Sequence, residues 1–71
     1  MLDKKALQIE LIKRDMSFAK LAKSLGINPG VLYRKLRGDT DFYRREIQEI
    51  KCVLELDDET TYRIFFAEKI T

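Results

Sequence analysis

The chain contains three glycines and one proline, and all four fall between residues 26 and 38: Gly26, the pair Pro29-Gly30, and Gly38. Glycine and proline are the strongest local punctuators of regular structure. Here they cut out two short segments, 17–25 and 29–37, and leave the rest of the chain without breakers. Gly26 stands where a helix ends on left-handed backbone, a conformation that glycine adopts at least cost. Pro29 stands at the first turn of the next helix, where a missing N–H costs nothing. The spacing predicts two helices joined by a tight corner.

The flanking patterns extend this to five helices. Leu7 and Leu11 stand at i, i+4, with Ala6, Ile9 and Ile12 widening the stripe, which predicts an amphipathic helix over about 3–14. Met16 falls in the link that follows. Ser17 is placed to cap the segment Phe18 to Leu25, which carries Leu21, Ala22 and Leu25 on one side. Asn28 caps the third segment, whose buried side is Leu32 and Leu36, and Gly38 closes it. Phe42 is expected to turn inward from the loop at Asp39-Thr40-Asp41. A fourth helix is predicted over about Tyr43 to Leu54, with Ile47, Ile50 and Leu54 inward. A fifth is predicted over about Asp58 to Lys69, capped by Asp57, with Asp58 and Glu59 at its positive end. No segment reads as a strand, so the expectation is a single all-α domain over 1–71.

Seventy-one residues make one domain at most, and a core of this size is small. Histidine is absent, which removes the commonest general base and metal ligand. Ser17 and Ser24 therefore have no imidazole to activate them, and no glycine-rich phosphate loop is present. Neither catalysis nor a cofactor is expected. Asp57-Asp58-Glu59 reads as a helix start, because a hard-cation loop needs several oxygen ligands at loop spacing. Cys52 is the only cysteine. It excludes an internal disulfide, fits a reducing cytoplasm and is expected to be a small buried residue. No apolar run approaches a membrane span, and the acids and bases within Met1 to Asp15 do not suit a secretory leader.

Charge is distributed unevenly. From Met1 to Gly38 there are nine Lys/Arg and three Asp/Glu, a balance of +6; from Asp39 to Thr71 there are five and nine, a balance of −4. A basic half that includes the punctuated segment suggests a face for a polyanion.

The residues Leu21 to Gly38 follow the pattern L-A-x-x-L-G-I-x-x-x-x-L-x-x-x-L-x-G. Phe42 to Ile50 follow F-x-x-x-E-I-x-x-I, and Ile64 to Ala67 read I-F-F-A. In these stretches the chain resembles the Cro/CI-type (XRE-like) helix-turn-helix regulators, most of all the short versions from phages of Gram-positive bacteria. The resemblance implies a five-helix, lambda-repressor-like DNA-binding domain with its helix-turn-helix at about 17–38. In such domains the small Ala22 lets the second helix of the pair cross closely, and Ile27 and Leu32 fill the angle.

The resemblance also implies sites. The second helix of the pair would lie in the major groove of double-stranded operator DNA, with Pro29, Gly30, Tyr33 and Arg34 toward the bases. Arg34 is the leading candidate, because its guanidinium can pair bidentately with guanine. Tyr33 would meet a thymine methyl or a phosphate. Ser17, Lys20, Asn28, Lys35, Arg37, Arg44 and Arg45 are the candidate phosphate contacts. The expected role is a phage regulator of the lytic/lysogenic choice, with a homodimer as one form.

The chain departs from that family at Phe18, where members often carry glutamine, at the apolar start Pro29-Gly30, and at Asp39 and Asp41. These departures carry a second expectation, a modulator of repression that binds the partner phage repressor. Its surface would comprise Phe18, Pro29, Gly30, Tyr33, Asp39 and Asp41. Phe18 is either folded against helix 1 or an exposed contact. Tyr62, Phe65 and Phe66 are expected mostly in the core, although so small a domain cannot bury all three.

Overall fold

The computed structural model describes residues 2–66. Five helices and no strand occur among them: α1 (Lys4–Lys13), α2 (Phe18–Leu25), α3 (Pro29–Arg37), α4 (Arg44–Leu54) and α5 (Asp58–Phe65). The domain is all-α. The part of the expected fifth helix beyond Phe66, and Ala67 of the I-F-F-A stretch, lie outside the described residues.

Local chemistry sets the helix starts. The side chains of Asp3, Ser17, Asn28 and Asp57 each accept a hydrogen bond from a backbone N–H in the first turn of α1, α2, α3 and α5, at 3.0, 3.2, 2.7 and 2.7 Å. Each satisfies one of the donors that a helix start leaves unpaired. The Asp3 amide also donates to the Ile64 carbonyl at 2.7 Å, tying the entry of α1 to the end of α5. Each of the four links passes through left-handed backbone, at Asp15 (φ 56°), Gly26 (71°), Gly38 (88°) and Glu55 (53°).

The core gathers Leu7 and Leu11 of α1, Leu21 and Ala22 of α2, Leu32 and Leu36 of α3, Ile50 and Leu54 of α4, Leu56, and Ile64 and Phe65 of α5. Met16, Phe18, Leu25, Ile27, Phe42 and Ile47 pack against it from partly buried positions. The helix α2 packs on both α3 and α4, and α5 closes the domain against α1 and α4.

Four expectations are corrected. Ile9 and Ile12 do not widen the inward stripe of α1; they are 52% and 66% exposed. Ile9 stands about 200° from both buried leucines, Leu7 and Leu11, and Ile12 about 100° beyond Leu11, so both leave the inward stripe that the leucines define. Cys52 is exposed, because the inward positions of α4 are Ile50 and Leu54 and residue 52 points away from both. Of the aromatic cluster only Phe65 is buried, whereas Tyr62 and Phe66 are exposed and lie together at i, i+4 with ring centroids 5.4 Å apart. Lys35 is buried, with consequences for the site.

Candidate nucleic-acid interface

The pair α2–α3 is joined by three residues, Gly26-Ile27-Asn28. At the corner the Gly26 amide donates to the Lys23 carbonyl and the Ile27 amide to that of Ala22, at 3.1 and 3.0 Å. These bonds satisfy the last carbonyls of α2 while the chain turns through positive φ. Ala22 is fully buried, which lets the two helices approach closely, and half-buried Ile27 packs on the core beside the corner.

The helix α3 begins on Asn28. Its Oδ1 accepts from the Gly30 amide, and a Cβ at residue 30 would stand 3.1 Å from that same oxygen. A side chain at residue 30 would therefore press on the capping oxygen, which would have to give by a few tenths of an ångström. Leu32, Lys35 and Leu36 form the buried side of α3, and Gly30, Tyr33, Arg34 and Arg37 face solvent. Pro29, Gly30, Tyr33 and Arg34 are all exposed and lie on one side of α3.

The cations on α3 have three different fates. Arg34 is exposed and makes no ion pair with a described residue. Arg37 is exposed but its guanidinium is held by Asp39 at 2.8 Å. Lys35, expected at the phosphates, is 7% exposed. Its ammonium lies 3.1 Å from Glu46 Oε1, donates to the Asp41 carbonyl at 3.0 Å and sits 4.6 Å from the centre of the Tyr43 ring. Lys35 is thus corrected from a phosphate contact to an internal cation. Lysine is almost never buried without such partners.

The remaining phosphate candidates are exposed: Ser17, Lys20, Asn28, Arg44 and Arg45. Ser17 and Asn28 use an oxygen to cap, which leaves the Ser17 hydroxyl proton and the Asn28 amide protons as donors. Arg44 and Arg45 open α4, where unpaired N–H groups and the helix dipole favour an anion. Arg45 keeps a loose contact with Glu49 at 3.8 Å. Phe18 takes an intermediate state: it packs on the core and meets Tyr33 edge to face, with centroids 6.2 Å apart. Asp39 and Asp41 are both exposed on the loop after α3.

Two surface grooves are lined chiefly by Phe42, Ile47, Phe66 and their neighbours, and Pro29, Gly30, Tyr33 and Arg34 line neither. The candidate face is exposed helix surface. Among the described residues no cluster of three or more Cys, Asp or Glu is placed to hold a metal ion, and no helix is long and apolar enough to cross a membrane.

Sequence reasoning missed Glu46 as the partner of Lys35, and Asp3 as the cap of α1. No family model matches the chain, and no curated protein or solved structure matches it either.

Proposed function

We propose that the protein is a non-catalytic, phage-type transcriptional regulator of the Cro/CI-like class, working in the bacterial cytoplasm, that binds operator DNA through α3. The observation that carries this reading is the division of α3 into two faces. Leu32, Lys35 and Leu36 hold the helix to the body, and Tyr33 and Arg34 stand outward one turn on from Pro29-Gly30. Arg34 is long, exposed and unpaired among the described residues, which is what bidentate reading of guanine O6 and N7 requires. Lys20, Arg44 and Arg45 supply exposed cations on the neighbouring helices for phosphate contact. If two copies act together, half-sites lie about 34–36 Å apart or at multiples of that spacing.

A second reading is favoured by one observation. With Lys35 internal and Arg37 held by Asp39, α3 offers a single unpaired cation among the described residues, beside the aromatic pair Phe18–Tyr33. That surface suits a protein partner, and the reading is a modulator of repression that docks on the partner repressor.

A gel shift separates the two. Intergenic DNA flanking the gene is titrated with this protein alone, with the partner repressor alone, and with both. The first reading expects a shifted band with this protein alone, weakening steeply as salt rises. The second expects no band with this protein alone and an altered repressor band when both are present.

A further inference from the structure

The buried ammonium of Lys35 has its capacity filled by groups from one short stretch of chain. Glu46 Oε1 lies at 3.1 Å, the Asp41 carbonyl accepts at 3.0 Å, and the faces of the Tyr43 and Phe42 rings lie 4.6 and 5.9 Å away. An ammonium has three protons and no acceptor, so two oxygens and an aromatic face satisfy it. The same Glu46 oxygen also accepts from the Tyr43 amide at 2.7 Å. Tyr43 caps α4, and its own side chain makes no capping bond. The first turn of α4 is therefore pinned by Glu46, and Glu46 is pinned by a cation of α3.

A buried ion pair is a poor source of stability, since apolar residues of similar volume often do as well or better. The pair does join two elements: Arg44 and Arg45 follow directly on Tyr43, so their stems leave the body from the turn that Lys35 of α3 contacts.

We infer that Lys35 is a positioning residue: by holding Asp41, Tyr43 and Glu46 it aims Arg44 and Arg45 at the phosphate backbone that flanks the groove occupied by α3. This rests on the DNA-binding reading above. Lys35 itself never touches the nucleic acid.

The test uses the full chain and a short mixed-sequence DNA duplex at several salt concentrations. Lys35→Met alone leaves a shielded carboxylate without its partner and can unfold the domain. The informative variant is Lys35→Met with Glu46→Gln, which removes both charges and keeps an acceptor for the Tyr43 amide. We expect this double variant to keep its helical circular dichroism and to show faster amide exchange over residues 41–46. Its affinity for the duplex should fall about tenfold or more, and the slope of log K on log salt should become shallower by about two, at about 0.9 per lost phosphate contact. Replacing Arg44 and Arg45 by alanine should lower the slope by the same amount in the wild-type chain, and by nothing more in the double variant.

A folded double variant with unchanged exchange, or with faster exchange but the wild-type slope and affinity, overturns the positioning role and leaves the DNA reading standing. Failure of the wild-type chain to bind any duplex overturns the DNA reading and the positioning role together.

Discussion

Arg34 and Lys35 are consecutive residues of α3 and stand in opposite surroundings. Arg34 reaches into solvent without a partner among the described residues, and Lys35 is enclosed between Glu46, the Asp41 carbonyl and the Tyr43 ring. One is placed to meet something outside the molecule, and the other holds the molecule's own parts together. Arg34→Ala should therefore leave the melting temperature almost unchanged, since exposed substitutions usually stay within about 0.5 kcal/mol. It should cost about 1–3 kcal/mol of specific operator binding. Fluorescence anisotropy with operator and with scrambled duplex reads this directly. Equal loss on both duplexes would assign Arg34 to a phosphate.

Asp39 restrains a neighbouring cation. Its carboxylate holds the Arg37 guanidinium at 2.8 Å, with both side chains largely in solvent. A pair so exposed adds little to stability, and its main effect is on the charge presented to a polyanion. Asp39→Asn should strengthen non-specific duplex binding and steepen its salt dependence by about one phosphate contact, close to 0.9 in slope. A variant with the wild-type slope would show that Arg37 lies away from the DNA.

Glu55 ends α4 at φ 53°, in left-handed backbone that a side chain with a Cβ adopts only at a cost. The next residue, Leu56, is buried, so the turn is needed to bring it into the core. Glu55→Gly should raise stability by about 0.5–1 kcal/mol, the gain in the folded state being partly offset by the greater freedom of glycine when unfolded. For a chain of this length that corresponds to a rise in Tm of about 2–8 °C. A fall in Tm would mean that the Glu55 side chain has a role that its backbone does not explain.

Acid should weaken the fold at two carboxylates. Hydrogen bonds from Thr60 hold Asp57 below its ordinary range, and Arg14 does the same for Glu10. A folded-state pKa below the unfolded value gives stability that is complete above the ordinary carboxylate range and is lost as pH falls through the lowered value. Tm should therefore hold near neutrality and drop as pH falls below about 4. Asp57→Asn keeps an effective N-cap without a titrating group, and should flatten part of that drop. Lys51, raised by its bond with Asp58, has the opposite sign. Its contribution is present at neutral pH and disappears only above the lysine range.

The fold was legible where the cause is local. Ser17, Asn28 and Asp57 cap the helices that follow them, and Gly26 turns through positive φ, because a cap or a corner needs only its sequence neighbours. The bounds of α2 and α3 follow from those residues alone. Lys35 was misread because its partners lie six to eleven residues away across a loop. A signal was nevertheless present: Leu32, Lys35 and Leu36 stand at i, i+3, i+4, the spacing of one helix face. The same spacing rule separates the inward Ile50 and Leu54 from the outward Cys52, and the inward Thr61, Ile64 and Phe65 from the outward Tyr62 and Phe66. Arg37 looked free because a pair two residues apart in a loop depends on the turn that Gly38 makes.

Whether the outward face of α3 is the surface that meets DNA decides the function. Amide chemical-shift mapping of the full chain, titrated with a mixed-sequence duplex at low salt, reads that surface residue by residue. The largest changes should fall at Gly30, Tyr33 and Arg34, with smaller ones at Lys20, Arg44 and Arg45, and little change at the exposed Ile9 and Ile12 of α1. Changes confined to α1 or to the Tyr62–Phe66 pair, with α3 unmoved, would contradict DNA binding through α3.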